Sequence, residues 1–327
     1  MRISTRISVI GITVLCIFLC VSAALAQKQR LSIGTAGTTG VFYSYGGALA
    51  NLISKYVAGV SSTAEATGGS VENMRLIENK EIDIATTSAD TVYQAYYDYK
   101  KSKYFKKKVD VTGLFNMYTQ PHHIITLKNS DIKKVEDIRG KRVSVGSPGS
   151  GTEVKTRMLL NALGITYKDF QPEFLSFGES VEALQDKNIE CAFLGVSYPA
   201  PAVINLALTN KIRLVSLSDE EIGKIISAYP FLSKSIIPKD VYKDVSYDTT
   251  TIAVQTLVVC RPDLSPDLTY QIVKAVFEHK DDLNLIHSSF RETTLEHATP
   301  TVVPTHPGAI KYFKETNVYK EKQYLQQ

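Results

Sequence analysis

Two loops rich in glycine, serine and threonine hold the residues best suited to bind a ligand. One is Ala36-Gly37-Thr38-Thr39-Gly40, and the other is Gly146-Ser147-Pro148-Gly149-Ser150-Gly151-Thr152. Each follows a short apolar run and precedes apolar residues at helical spacing, so each is predicted to lead from a strand into a helix. The unpaired amides and the positive dipole end of such a helix attract an anion. Backbone and hydroxyl donors are therefore predicted to bind a carboxylate or phosphate through these residues: Gly37, Thr38, Thr39, Gly40, Ser147, Ser150, Gly151 and Thr152.

Three more residues are candidates because of their places in the sequence. Tyr43 follows the first loop, where its ring would either form a wall of a pocket or pack on its own helix. Ser88 and Asp90 stand at the end of a predicted strand, where each would either cap the next helix or contact the ligand. An acidic side chain at Asp90 would suit an amine of the ligand or a hydrogen bond between lobes.

Sequence signatures of catalysis and of metal binding are missing. The chain has no Gly-Lys-Ser/Thr phosphate cradle, no Gly-x-Ser-x-Gly nucleophile elbow and no His-Glu-x-x-His motif. The adjacent His122 and His123 have no further ligands at a spacing that would complete a metal site. We therefore expect a binding protein that is not an enzyme and that needs no metal or cofactor.

The first residues predict export. Arg2 and Arg6 precede an apolar run that ends in Ala24-Leu25-Ala26, a pattern typical of a signal peptide cleaved after Ala26. No later segment is long and apolar enough to span a bilayer, so we expect a soluble monomer in the periplasm. Without those two arginines, the 37 basic residues become 35 against 33 acidic ones, which gives no strong field for nucleic acid.

The cysteines argue against a disulfide-based scaffold. Cys16 and Cys20 lie in the predicted signal peptide, which leaves only Cys191 and Cys260 in the mature chain. Both fall in apolar, strand-like runs, so we expect two buried thiols rather than a mutual disulfide.

Strand-like and helical patterns alternate along the chain, which is typical of an α/β fold. The predicted strands include Leu31 to Thr35, Val60 to Ala66, Ile82 to Thr86, Arg142 to Val145 and Glu173 to Phe177. The predicted helices include Phe42 to Val57, Ser70 to Asn79 with Ser70 as its N-cap, and Ala89 to Tyr99. Because the strand-loop-helix pattern restarts near Arg142, two lobes are expected.

The lobes are predicted to be joined by two crossing strands that form a hinge. If the chain crosses near 120 to 125 and again near 250 to 258, lobe I comprises residues 27–123 and 253–327, and lobe II comprises 124–252. The strand-like segments Val111 to Tyr118 and Ile124 to Leu127 flank the first crossing. The lysine-rich stretch Lys100 to Lys108 reads either as a solvated loop or as a docking surface for a membrane partner.

Four ordered blocks resemble the TAXI-type solute receptors, which are the substrate-binding components of one class of TRAP transporter. The blocks cover nearly the whole mature chain: Gly34 to Ala50, Ala66 to Asn73, Gly146 to Thr152, and Leu257 to Arg261. The resemblance implies an α/β, two-lobed periplasmic-binding-protein fold of the second type that closes about its hinge. It also implies membrane subunits of a TRAP-type transporter as partner, and a glutamate, glutamine, 2-oxoacid or dicarboxylate ligand. The sequence departs from the family in having Ser44-Tyr45 where a proline is common.

The same fold permits other functions. An ABC importer uses receptors of this architecture, and so does a sensory system that passes the signal of a bound ligand to another protein. A neighbouring gene for a fused membrane subunit would favour the TRAP class, and an ATPase gene would favour the ABC class. An enzyme would need an activated nucleophile or an acid-base pair in the cleft, and none is identified.

Overall fold

The computed structural model describes residues 28–320 of the 327-residue chain. The signal peptide predicted for 1–26, with Cys16 and Cys20, lies outside the described residues. The first part of the chain contains these elements: β1 (Gln29–Gly34), α1 (Val41–Tyr56), β2 (Val60–Glu65), α2 (Ser70–Glu78), β3 (Ile84–Ser88), α3 (Ala89–Tyr96) and β4 (Thr112–Leu127).

A second run of short strands and helices follows. Its elements are β5 (Arg142–Ser144), α4 (Gly151–Ala162), β6 (Gln171–Glu173), α5 (Phe177–Gln185), β7 (Cys191–Gly195), α6 (Pro201–Thr209), β8 (Ile212–Leu214), α7 (Asp219–Ala228) and β9 (Leu232–Ile237). The chain then forms β10 (Thr249–Cys260), α8 (Pro266–Glu278), α9 (Lys280–Asn284) and α10 (Pro307–Glu315). Single turns of 3₁₀ helix lie at Val135–Ile138, Ser288–Glu292 and Leu295–His297.

The described strands pair in the order β2-β1-β3-β10-β4-β7-β5-β6, with β8 on β4 and β9 on β10. Strands β1, β2 and β3 are parallel, as are β5, β6 and β7. Strands β4 and β10 run antiparallel to their neighbours. Parallel units that alternate with helices, joined by two antiparallel strands, confirm the predicted two-lobed α/β architecture.

Strands β4 and β10 change partners along their length. Strand β4 pairs with β10 as far as Pro121 and with β7 from His122 onward. Strand β10 pairs with β9 as far as Val254 and with β3 from Thr256 onward. These changes support the two proposed crossings, and the lobe boundaries at 123/124 and 252/253 stay a proposal.

Two segments that the sequence predicts as separate strands are one strand in the structure. Strand β4 continues through Pro121, although proline has no N–H to donate to a sheet. The proline stands where β4 leaves β10 for β7, and its carbonyl accepts a hydrogen bond from the N–H of Val196 at 3.1 Å. A position between two sets of partners tolerates the missing donor.

The apolar core follows the two faces of the sheet, and each face draws on both proposed lobes. One cluster joins Leu31 and Val258 with Val203, and the other joins Val71 and Ile252 with residues such as Val154. Alternating side chains of β4 and β10 reach both faces, so the crossing strands join the lobes through packing as well as through chain connectivity.

Two local predictions differ from the structure. The predicted strand from Glu173 to Phe177 ends at Glu173, because Ser176 accepts a hydrogen bond from the N–H of Glu179 and opens α5 as part of a capping box. Helix α2 has Gly69 as its N-cap, with φ 107°, so the predicted cap Ser70 is instead its first residue. Glycine serves here because a side chain is strained at that angle.

Cys191 and Cys260 are both buried free thiols, as predicted. Burial raises the pKa of each thiol to about 12. Between residues 28 and 320, none of the helices has the length and apolar character needed to span a membrane.

Candidate functional site

A cavity of about 190 Å³ lies between the two lobes. It is smaller than the pockets of about 300–1,000 Å³ that bind drug-sized ligands, so it fits a small metabolite. Phe42 and Val41 from one lobe and Phe177 and Val196 from the other form apolar parts of its wall. Gln120, on the crossing strand β4, adds a side-chain amide.

Four helices begin at this cavity. Their N-caps and first residues all line it, two helices from each lobe: Gly40 and Val41 of α1, Gly69 and Ser70 of α2, Ser150 and Gly151 of α4, and Ser176 and Phe177 of α5. The first N–H groups of a helix have no intrahelical acceptor, and its first turn carries a partial positive charge. The convergence of four such ends makes the cavity attractive to an anion.

Some of these amides are free to meet a ligand and others already have partners. No acceptor within the described chain meets the N–H groups of Ser70, Gly151 and Thr152. The N–H of Glu153 donates to Ser150 Oγ at 3.1 Å, which caps α4. These three amides lie on α2 and α4, which stand on opposite sides of the cavity.

The lobes are closed on each other beside the cavity. The N–H groups of Val71 and Glu72, at the start of α2, donate to the carbonyl of Gly149 at 3.0 and 3.1 Å. Gly149 has φ 78°, which turns its backbone toward α2 and favours glycine. The second glycine-rich loop therefore both lines the cavity and contacts the opposite lobe.

The structure brings seven of the eleven predicted residues to the cavity and places four outside it. Those in the lining are Gly37, Thr39, Gly40, Ser147, Ser150, Gly151 and Thr152. Thr38 is exposed, because consecutive residues of a loop point in different directions. Tyr43 lies on α1 one residue beyond the lining Phe42, so the helical rotation takes it off the cavity.

Ser88 and Asp90 are fully buried behind the cavity and do not line it. Ser88 is the N-cap residue of α3 by position, but its hydroxyl bonds the hydroxyls of Ser70 and Thr91, each at 3.2 Å, and makes no capping bond. The structure thus gives Ser88 a place in a buried hydroxyl network and Asp90 a place between the lobes.

Sequence reasoning missed several lining residues. They fall in four places: Thr67 to Ser70, Gln120, Ser176-Phe177 and Gly195-Val196. The capping-box spacing of Ser176 and Glu179 was a usable signal for a third helix start. For Gly195 and Val196 the signal was weaker, because they only follow the end of a buried strand.

Asp90, His122 and Lys155 form a buried group, called here the Asp90 cluster. Lys155 Nζ of α4 lies 3.8 Å from Asp90 Oδ2 of α3, and both side chains have 0 % exposure. Lys155 Cε and His122 Nδ1 would be 2.9 and 3.2 Å from a Cβ on Gly195, so a side chain there would collide with the cluster. Since Gly195 and Thr152 line the cavity, the Asp90 cluster lies directly beneath its floor.

The Asp90 cluster carries polar atoms that the described residues do not satisfy. Both carboxylate oxygens of Asp90, Lys155 Nζ and His122 Nδ1 make no hydrogen bond, while His122 Nε2 bonds Thr156 Oγ1 at 3.0 Å. Burial lowers the pKa of Lys155, an effect that Asp90 opposes. Burial, with Lys155 nearby, holds the pKa of His122 well below its usual value, so this imidazole is neutral.

A second charged group links the lobes nearer the surface. In this Glu153 cluster, the buried Glu153 of α4 accepts hydrogen bonds from Lys103 Nζ at 3.1 Å, Tyr104 Oη at 2.5 Å and Arg157 Nη2 at 2.6 Å. Burial acts to raise the pKa of Glu153, but these donors outweigh it and hold that pKa below its usual range. The lysine-rich stretch is thus partly a contact between lobes, and Phe105 within it is buried.

Comparisons with solved structures agree with this architecture. PhnD1 from Prochlorococcus marinus (MIT 9301), in complex with methylphosphonate, is 11% identical, with 89% of this chain and 100% of that chain covered and a TM-score of 0.55. A protein of Bordetella bronchiseptica RB50 is 13% identical, with 88% and 89% covered and a TM-score of 0.51. A putative L-cystine ABC transporter from Listeria monocytogenes is 12% identical, with 81% and 95% covered and a TM-score of 0.48. The fold is that of the two-lobed periplasmic binding proteins.

The profile of the NMT1-like family matches residues 33–316. The chain therefore belongs to the NMT1-like family. This result shows the NMT1-like family and does not show the TAXI type that the sequence resembles.

Proposed function

We propose that the protein is an extracytoplasmic solute-binding receptor that captures a small anion between its lobes. The observation that carries this proposal is the convergence of four helix N-termini, two from each lobe, on one cavity between the lobes. A ligand held by amides of both lobes stabilises the closed form over an open one, because only differential affinity shifts such an equilibrium. Carboxylate, sulfonate and phosphonate groups all suit these donors.

Binding is the first test of this function. Residues 27–327 would be unfolded and refolded to remove any retained ligand, then titrated calorimetrically with small carboxylates, sulfonates, phosphonates and neutral sugars. We expect saturable binding of one class of anion, and a smaller radius of gyration by X-ray scattering when that anion is bound. Binding of sugars alone, or of no compound, would refute the proposed receptor function.

Two neighbouring threonines provide a matched pair of variants for the site. Thr39 lines the cavity and Thr38 is exposed outside it. Thr39→Val keeps the shape of the side chain and removes its hydroxyl. We expect it to weaken binding about threefold to tenfold, because that is the net contribution of one hydrogen bond. Thr38→Val should leave the affinity unchanged. Equal effects of the two substitutions would place the ligand elsewhere.

The membrane partner is proposed to be an importer that recognises the closed receptor. The four motif blocks favour a TRAP-type transporter, but the comparisons give that class no support and are nearer to the alternative of an ABC importer. Ligand uptake into vesicles that carry the native transport system separates the two. Inhibition by vanadate would indicate ATP-driven import, inhibition by an ionophore alone would indicate a TRAP-type system, and signalling without uptake would indicate a sensory receptor.

A further inference from the structure

The interlobe cavity is lined without any ionisable side chain from the described chain. Every lining residue is an alanine, glycine, valine, phenylalanine, serine, threonine or glutamine. Charge in the ligand must therefore be balanced by dipoles rather than by a side-chain counter-ion. The dipoles that converge there all present the same sign, because all four are helix N-termini.

Three buried or partly buried carboxylates lie close to this lining. Asp90 lies beneath the floor with 0 % exposure, and its nearest cation is Lys155 at 3.8 Å. Glu72 Oε2 accepts a hydrogen bond from the N–H of Gly68 at 2.7 Å. Glu153 is occupied by Lys103, Tyr104 and Arg157. None of these carboxylates belongs to the cavity lining.

An ammonium group in this cavity would be unfavourable for two reasons. It would stand among the positive ends of four helix dipoles, which repel it. It would also lose its hydration without gaining a carboxylate partner, and burial strongly disfavours a charge that has no partner. A carbonyl or hydroxyl in the same place meets neither penalty, because the serine, threonine and Gln120 side chains satisfy it.

We infer that the ligand is a small organic anion that carries no ammonium group, and that the site discriminates against amino acids. This inference rests on the proposed receptor function and narrows its ligand class. Among the ligands implied by the sequence resemblance, it favours a 2-oxoacid or simple dicarboxylate over glutamate or glutamine. It extends equally to sulfonates and phosphonates without an amine, since the same amides bind all three acid groups.

Matched probes isolate the ammonium group from every other feature of the ligand. The refolded protein would be titrated with 2-oxoglutarate and L-glutamate, with isethionate and taurine, and with 2-hydroxyethylphosphonate and 2-aminoethylphosphonate. Within whichever pair binds, we expect the amine-free member to bind at least about tenfold more tightly. Equal or tighter binding of the amino member would overturn the inference while leaving the receptor function intact. Binding of sugars alone, or of no compound, would instead refute the proposed receptor function itself, and the inference with it.

Two substitutions locate the cause of the preference. Gln120→Glu places a carboxylate in the lining, and we expect it to weaken the amine-free member about tenfold and to narrow or reverse the preference. Glu72→Gln removes a carboxylate that is bonded to the lining residue Gly68 and keeps the shape of that side chain, so the preference should persist. If Glu72→Gln abolished binding of an amino acid that the unmodified protein binds, Glu72 would be the missing counter-ion and the inference would be wrong.

Discussion

The cavity and the Asp90 cluster are separated only by Thr152 and Gly195, yet the cavity lining has no charged side chain and the cluster contains two. Above Thr152 and Gly195 the cavity has only neutral groups and helix ends, while below them lie a buried aspartate, lysine and histidine. We infer from this difference that the buried charges of opposite sign stabilise the contact between the lobes, and that the oriented helix dipoles bind the proposed ligand. A cavity lined by helix N-termini can bind an anion through oriented dipoles, and it needs no bound proton or counter-ion when the ligand is absent.

The largest expected effect comes from separating the buried pair. Lys155→Met leaves Asp90 buried without its cation, and we expect the free energy of unfolding to fall by about 3–5 kcal/mol. The double variant Asp90→Asn/Lys155→Met removes both charges and should recover most of that loss. Denaturant unfolding measures both, with the exposed Lys168→Met as the control that changes little. Equal stability of Lys155→Met and the parent protein would show that the pair is unimportant to the closed fold.

Acid should weaken the fold before it weakens the site. Burial lowers the pKa of His123 to about 4, and burial also lowers that of His122. Below the ordinary histidine pKa of 6.5, His123 is protonated in the unfolded chain but stays neutral in the folded chain until the pH nears 4. The free energy of unfolding therefore falls as the pH drops from about 6.5 to about 4. The loss for His123 alone is about 3 kcal/mol.

Unfolding curves measured across this pH range test the prediction. His123→Gln should flatten the slope by about one proton, and the exposed His297→Gln should not. Because the cavity lining does not titrate, the affinity for a bound sulfonate should stay nearly constant over the same range. A steep loss of affinity with unchanged stability would show that the binding site titrates in this range and that the buried histidines do not limit stability.

Alanine substitutions of two lining glycines should differ in their effect on closure. A Cβ at Gly151 would lie 2.8 Å from the hydroxyls of Ser70 and Ser88 and 3.1 Å from Ser70 Cβ, all in the opposite lobe. A Cβ at Gly37 meets nothing within 4 Å. We expect Gly151→Ala to weaken binding about tenfold by holding the lobes apart, and Gly37→Ala to change it little. Calorimetry compares them, and similar affinities would mean that closure does not need this contact.

The smallest expected effect on stability is at Lys103, the most exposed member of the Glu153 cluster. Lys103 is 47 % exposed in its bond to the buried Glu153, so Lys103→Met should cost only about 0.5 kcal/mol of stability. Lys106→Met, in the same lysine-rich stretch and exposed, is the control. Thermal unfolding at low and high salt distinguishes them, because screening should abolish only the Lys103 effect. An equal loss at Lys106 would mean that the bond between Lys103 and Glu153 is not the cause.

Much of the site was predictable because its signals are local. The two glycine-rich loops predict where two helices begin. The structure places these loop residues at one cavity: Gly37, Thr39, Gly40, Ser147, Ser150, Gly151 and Thr152. The sequence does not show that Thr38 and Tyr43 lie outside the cavity lining, since the direction of a loop or helix side chain depends on how the element packs. The sequence did not predict a helix start at Ser176 and Phe177, because the apolar residues before the capping serine are also typical of a strand.

The sequence by itself determined the alternation of strands and helices, the repetition of the unit in two lobes, and the small residues that begin helices at one edge of each sheet. These follow from backbone preference and apolar periodicity, which act over a few neighbouring residues. Only the tertiary structure decided that Asp90 faces Lys155 instead of a ligand, and that the lining of the cavity is neutral. Those properties depend on distances between residues far apart in the chain, which local patterns do not encode.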